Sequence, residues 1–335
     1  MDVRTIPLDI WRIIFNFLDF LSQIRFRKTH SYLYKNLSLI EIANLTREQF
    51  RALDNRVLEK HTNLKVLEIN RFCYTSKAVY FNLDKHTKLE RLSYHYLNFK
   101  MNPNLSLINL GIYLDFKLNP HLSLINLTNL SFHFCNFAPN ISHLTRLQRL
   151  KVYLNDDNED NDEQEFDIPS ITSITKLVLR EHKVQNLNYM THLLTLKLFD
   201  CYGLGEKGMS NLVNLTNLLI KEGSCYKNLN HFTNLRKLNI RYLDDLNHDG
   251  IIKLTNLEDF TEKSSFYQCR MHLNHLDKLT SLNLGYHEIK IGEISNLTNL
   301  RKIILYNNKV QTFNEFWNLP HEEFINPYYP HFKLI

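Results

Sequence analysis

An apolar phrase of the form L-x-x-L-x-L recurs along the chain, starting at Leu64, Leu89, Leu107, Leu127, Leu147, Ile174, Leu193, Leu215, Leu235, Leu257, Leu279 and Leu300. These roughly twelve copies lie about 18 to 27 residues apart. Each carries the alternation of a short strand, whose successive side chains point to opposite faces. In the last copy Ile303 and Leu305 are expected to point inward, with Ile304 and Tyr306 outward. One unit cannot bury its apolar edge alone, so neighbours must stack into a continuous core with a parallel sheet along one side. The other half of each unit lacks long helical periodicity, which predicts short helical turns or irregular segments on the return path. The more conspicuous Thr-Asn-Leu phrase gives irregular spacings, because some copies place its Leu early in the unit and others late.

This pattern resembles the leucine-rich-repeat family, whose unit reads L-x-x-L-x-L-x-x-N/C-x-L. The resemblance covers about three quarters of the chain by its repeat period. It implies an α/β solenoid with a parallel concave sheet. The final consensus position holds Asn155, Asn308, Cys135 and Cys201, but elsewhere Phe72, Leu97, Asp115, His182, Gly223, Leu243, Ser265 and His287. The family's asparagine ladder is therefore expected to be incomplete. The copy at Leu257 fits least well, with Phe260 and then Glu262 at its inward positions.

The first 40 or so residues stand outside the repeat. In "TIPLDIWRIIFNFLDFL", Ile10, Ile13, Ile14, Phe17 and Leu18 recur at the spacing of an amphipathic helix, and Pro7 suits a first helical turn. Asp19 is placed to cap a second helix carrying Leu21, Ile24 and Phe26, and Thr29 or Ser31 to open a third with Leu33 and Leu37. This segment resembles the F-box, through its Ile6-Pro7 start, its Leu18-Asp19 pair, and apolar Leu21 and Ile24. Tyr34 stands where the family often has Trp, and His30 near a position where it often has Cys. The resemblance implies a three-helix head binding a Skp-type adaptor through Ile6, Pro7, Leu8, Ile10 and Ile14, and so a cullin-based ubiquitin ligase. The repeats would then select the protein to be ubiquitinated, and no catalytic residue is required. The alternative from the residues alone is a helical cap covering the end of a repeat-only interaction scaffold. The organisation expected is a head over residues 1–45, a linker and cap over 46–60, repeats over 61–318, and a second cap over 319–335, where Pro320, Pro327 and Pro330 disfavour another full strand unit.

The outward residue after each L-x-x-L-x-L core forms a column readable from sequence: Asn70, His95, Tyr113, His133, Tyr153, Arg180, Phe199, Lys221, Arg241, Lys263, Gly285 and Tyr306. Its early half is rich in aromatic and imidazole groups and its later half is mostly cationic, with Lys151 and Lys197 adding charge alongside. Aromatic and Arg side chains are favoured binding anchors. The column from His95 to Tyr306, omitting Gly285, is accordingly the expected target surface, with Arg180 to Lys263 meeting an acidic or phosphorylated segment.

Charge and composition exclude other classes. The 335 residues carry a net charge of only +5, which weighs against a nucleic-acid binder using the basic column. No apolar run approaches membrane-spanning length, and the first residues lack a secretory pattern, so the expected location is the cytoplasm or nucleus. The Asn, Ile and Lys bias suits an AT-rich genome such as that of a protist or a large DNA virus, and a host cell in the viral case. Cys73, Cys135, Cys201, Cys225 and Cys269 form no CxxC pair. Cys269, His272 and His275 supply one thiol without an evident fourth ligand, so no metal is expected. The acidic stretch Asp156 to Asp167 has Asn161 where a calcium loop wants Gly and Asp167 where it wants Glu, and reads as a solvated insertion. With 8 glycines and no nucleophile-base arrangement, neither a cofactor nor enzymatic activity is expected.

Overall fold

The computed structural model describes residues 6–30, 32–33, 37–43, 45–69, 79–95, 97–101, 105–113, 124–133, 141–153, 168, 171–181, 183–223, 226–242, 246, 248–263, 273–285, 288–289, 294–306, 309–310 and 323–325. They fall into two compact units, Met1–Leu147 and Gln148–Ile335. The described elements of the first are α1 (Leu8–Phe17), α2 (Phe20–Lys28), β1 (Glu41–Ile42), α3 (Arg47–Arg51), α4 (Asn55–Glu59), β2 (Val66–Glu68), β3 (Val79–Leu83), β4 (Arg91–His95), β5 (Leu97–Met101), β6 (Asn109–Tyr113) and β7 (Asn129–His133). Within this unit β1, β2, β4, β6 and β7 lie side by side, all in parallel, and β3 pairs with β5. The second unit contains β8 (Arg149–Tyr153), β9 (Lys176–Arg180), β10 (Thr195–Cys201), β11 (Asn217–Gly223), β12 (Lys237–Arg241), β13 (Asp259–Lys263), β14 (Ser281–Gly285), β15 (Glu288–Ile289), β16 (Lys302–Tyr306), β17 (Lys309–Val310) and β18 (Glu323–Ile325). Its parallel sheet runs β8-β9-β10-β11-β12-β13-β14-β16-β18, and β15 pairs with β17.

The strand register follows the leucine spacing. Each of the twelve phrases begins two residues before a strand, and its first residue is no more than 1% exposed. Alternation then divides the strand, as in β12, where Leu238 and Ile240 are buried and Lys237, Asn239 and Arg241 face outward. In β13 the inward position holds Glu262, only 2% exposed, in register between Ile240 and Leu284. The fold thus tolerates a carboxyl group in an otherwise apolar inner column.

The return path has its own period. Met209, Leu212 and Leu215 recur every third residue, as do Leu229, Phe232 and Leu235, then Ile251, Leu254 and Leu257, and all are buried. A period of three matches the tight turn of a 3₁₀ helix, and the backbone shows the corresponding bonds, such as Leu212 N–H to Met209 O at 3.0 Å and Leu254 N–H to Ile251 O at 2.9 Å. The expected short helical turns are present at Glu206–Met209 and His248–Gly250. Gly208 and Gly250 are required there by space, because a Cβ would run into the carbonyl of Gln185 or Lys227.

A different asparagine ladder is present from the one the consensus position would supply. The Asn just before the first leucine of a unit donates its side-chain N–H to a main-chain carbonyl of the preceding unit: Asn214 to Thr191, Asn234 to Val213, Asn256 to Thr233 and Asn299 to Asp277, at 2.7 to 2.9 Å. Thr216 and Thr280, one residue after that leucine, likewise donate to Leu194 O and Glu258 O. These bonds satisfy carbonyls at the turn where each coil meets the next. Of the consensus residues, Cys201 is buried and its Sγ–H donates to Phe199 O at 3.3 Å, while Asn155, Asn308 and Cys135 lie outside the described residues.

The first two helices of the amino-terminal segment are present as expected. Asp19 caps α2 by accepting from Ser22 N–H at 2.9 Å, and Pro7 is the cap residue preceding α1. Tyr32 and Leu33 are helical and Leu37 N–H donates to Leu33 O, but the middle of the expected third helix lies outside the described residues. The sheet already begins at Glu41, inside the range expected for the helical head, and β18 adds a three-residue strand within the expected carboxyl-terminal cap. The stripe Ile10, Ile13 and Ile14 is not the face of α1 that packs inward. Phe15 is buried at 2% exposure, whereas the three isoleucines are 46%, 53% and 40% exposed.

His61 ties α2 to the first coil. Its Nδ1 accepts the Leu39 N–H at 2.9 Å, and the buried Arg27 guanidinium lies 3.2 Å from Nε2. Burial, Arg27, His86 and Lys60 together push the imidazole down to about 3 from 6.5, because a protonated ring would face a donor and a cation. The unfolded chain therefore takes up this proton first, and stability is lost as the pH falls from 6.5 toward about 3. Thermal unfolding followed at Trp11 should show this loss, and His61→Asn should flatten the slope in that window; equal slopes in both proteins would contradict the assignment.

Candidate binding surface

Parallel pairing without slippage gathers the outward residues into columns. In the first unit His95, Tyr113 and His133 are in register, and in the second Tyr153, Arg180, Phe199, Lys221, Arg241, Lys263, Gly285 and Tyr306. Each unit therefore brings its share of the expected column together on one face. The side chains of His95, Tyr113 and Tyr306, and all of Asn70, lie outside the described residues. His133, Tyr153, Phe199, Lys221, Arg241 and Lys263 are half-buried, and Arg180 is exposed.

The column's charge is partly neutralised by its own chain, which sequence reasoning missed. Arg180 Nε lies 3.0 Å from Glu181 Oε1, and Lys221 Nζ lies 3.2 Å from Glu222 Oε1. Glu181, Asp200, Glu222 and Tyr242 occupy equivalent places just beyond the column, and all adopt left-handed backbone, with φ of 58°, 53°, 57° and 59°. Such a conformation costs a non-glycine residue about 1 to 3 kcal/mol. Its repetition turns three successive carboxylates into an acidic strip along the cationic one. Burial raises the Asp200 carboxyl above its usual range; Lys221 opposes this, Glu222 adds to it by charge and hydrogen bonding, and Arg180 opposes it. The sequence signal was available: an acidic residue directly follows the column in three consecutive units.

In the column itself Arg241 makes no ion pair among the described residues and donates to Asn239 instead, and further cations without an ion pair are in the other two outward columns. Arg149, Lys176 and Lys237 share one column, and Lys151 and Lys197 the other. Burial holds the Lys176 ammonium below its usual range, followed by repulsion from Lys197, Arg149 and Lys151. Val178, in register between Lys151 and Lys197, is 3% exposed, as expected where long lysine stems cover an apolar neighbour. Burial and Arg241 likewise depress Lys263, while burial raises Tyr153 against the opposing charge of Arg180.

Between these lysines lies a hollow of about 290 Å³, lined by Lys176, Thr195, Lys197, Asn217, Lys237 and Asn239 among others. It exists because short Thr and Asn side chains alternate in register with long lysines. A broader groove of about 700 Å³ follows Asn214, Asn234 and Asn256, but those amides are already committed to the carbonyl ladder.

On the remaining expectations, Ile6 and Pro7 immediately precede α1 and Leu8, Ile10 and Ile14 lie within it, with Pro7, Ile10 and Ile14 exposed and Ile6 and Leu8 half-buried. The acidic stretch 156–167, Cys269 and His272 lie outside the described residues. Among the described residues no group of three or more His, Cys, Asp or Glu side chains could hold a metal ion, and no helix is long and apolar enough to cross a membrane.

The fold is that of a leucine-rich-repeat solenoid. The functional domain of InlJ from Listeria monocytogenes is similar in structure, with a TM-score of 0.54 at 20% identity over 87% of this chain and 68% of that one. An internalin, InlF, from the same organism matches at 18% identity with a TM-score of 0.47, covering 84% of this chain and 88% of its own. A TLR13 chain solved with ssRNA13 matches at 17% identity with a TM-score of 0.45, covering 86% and 53%. No family profile and no curated protein sequence matches the chain.

The Asp200–Glu222 coupling is open to test. In Glu222→Gln the Asp200 carboxyl should titrate at lower pH, because a like charge that favours the protonated form is removed. Carboxyl ¹³C NMR titration reads this directly, and an unchanged Asp200 midpoint would show that Glu222 does not set it.

Proposed function

We propose that the chain is a two-part adaptor, in which the amino-terminal helices dock on a Skp-type adaptor of a cullin-based ubiquitin ligase and the outward sheet holds the protein to be modified. The observation that carries the docking half is the exposed stripe Ile10, Ile13 and Ile14 on α1. A helix whose only task is to cap a solenoid buries its apolar stripe. Here Phe15 and the tilted stacking of Trp11 on Phe26, 5.7 Å between centroids, anchor α1 instead, and the isoleucines are left to water. Apolar side chains presented together on a held helix are the form of a helix-face docking site. The target half is supported by the register columns, which set Tyr153, Arg180, Phe199, Lys221, Arg241 and Lys263 on one face. Their charge favours a target with an acidic or phosphorylated segment.

The same stripe also suits a repeat-only scaffold whose head binds some other apolar partner. A purified Skp-type adaptor separates the readings. The intact chain should bind it, and Ile10→Asp with Ile14→Asp should weaken binding by at least about tenfold without changing the far-ultraviolet spectrum, as expected for loss of interface anchors. A folded intact chain that fails to bind would remove the ligase role and leave the scaffold.

A further inference from the structure

We propose that the hollow between β9 and β13 is a seat for one doubly charged anion, and that its ligand is a phosphorylated side chain on an extended protein segment lying across the sheet. This rests on the reading of the outward sheet as a target surface, but it moves the anion from the expected column to its neighbours.

Three observations converge on the hollow. Lys176, Lys197 and Lys237 border it from β9, β10 and β12, and none makes an ion pair among the described residues. In contrast, Arg180 and Lys221 of the expected column are already held by Glu181 and Glu222. The floor supplies oriented neutral groups. Arg241 Nε donates to Asn239 Oδ1 at 3.2 Å, which leaves the Asn239 amide nitrogen as the group presented to a ligand. Asn217 Nδ2 is 3.4 Å from Thr195 Oγ1, a long bond that a better acceptor can replace. The lysines also crowd one another: Lys176 is held below its usual range by burial and by Lys197, Arg149 and Lys151. A bound dianion relieves that repulsion, so the cost of keeping these ammonium groups together is returned on binding.

The shape favours a single charged side chain over a continuous polyanion. At about 290 Å³ the hollow sits at the lower limit of small-ligand pockets, which suits a side chain with its terminal group. Asp259 borders it on β13, and the strip of Glu181, Asp200 and Glu222 lies further along the strands toward their carboxyl ends. A nucleic-acid backbone laid over the sheet would bring successive phosphates against these carboxylates. A peptide with one phosphate in the hollow meets three lysines against the single carboxylate of Asp259, and flanking basic residues of that peptide would find the acidic strip.

The test uses the intact chain without any adaptor, so its outcome is independent of the docking half. A bead-bound peptide library with a fixed central phosphothreonine is compared with the same library carrying threonine, and a short oligodeoxythymidylate is offered as competitor. The phosphorylated library should be retained about tenfold better at moderate salt, a difference worth one decade in affinity. Lys197→Gln with Lys237→Gln should abolish the preference while melting remains unchanged, and Lys253→Gln, an exposed lysine on the return path, should leave it intact. Equal retention of the two libraries, a preference that survives the double substitution, or displacement of the phosphopeptides by the oligonucleotide at matched charge would each overturn the proposal. The single variants Lys197→Ala and Lys237→Ala keep the test available if the double variant does not fold, since each should reduce the preference.

Discussion

The structure depends on one constraint: a leucine, or in one coil Ile174, two residues ahead of each of the twelve repeat strands must be buried, coil after coil. Because the side-chain period of a strand is two, fixing that residue fixes which side chains point in and which point out. A slip of one residue would send Leu238 and Ile240 to solvent and Lys237, Asn239 and Arg241 into the core. The penalty repeats on every strand, so the register is set many times over. Everything on the outward face, including its columns of charge, follows from that alignment.

The carbonyl ladder has a complementary role. Stacked coils bury apolar surface without direction, whereas Asn214, Asn234, Asn256 and Asn299 each bind one defined carbonyl in the preceding coil. Each such bond contributes about 1 kcal/mol net, less than the burial of a single leucine, but it penalises a slipped or tilted coil specifically. Apolar stacking thus supplies the stability and the amides supply the geometry. On that rigid frame a handful of lysines can be held closer together than they would stay on a loop.

What the sequence made legible was the part governed by repetition. The twelve phrase starts located the strands because burial forces a leucine to recur, and the Asp19 cap was readable because capping chemistry is local. Three features were not readable, for physical reasons. The two frames of the Thr-Asn-Leu phrase were visible, but not that one of them, with Asn234 and Asn256, reaches carbonyls of the preceding coil while Asn129 and Asn217 fall on the outward sheet. Helical spacing groups Ile10, Ile13 and Ile14 on one face but does not say whether that face meets core or solvent, and Phe15 takes the inward place. The hollow depends on long and short side chains alternating across strands some 20 residues apart in sequence, and on which cations are already paired. The column chosen from sequence is aligned within each unit, yet Arg180 and Lys221 are engaged by their own neighbours, and further lysines without an ion pair among the described residues stand beside it.

Cross-linking of introduced cysteines tests the register most directly. Thr195 and Asn217 are partners on adjacent parallel strands, where neighbouring chains lie about 4.8 Å apart, within the Cα span of roughly 4.4 to 6.8 Å that a disulfide bridges. Thr195 and Lys221 share the face but are offset by four residues, or about 13 Å along the strand. Mild oxidation followed by mass spectrometry of linked peptides should find the bridge in Thr195→Cys/Asn217→Cys and not in Thr195→Cys/Lys221→Cys. A bridge in the second pair and none in the first would contradict the register on which the outward face is built.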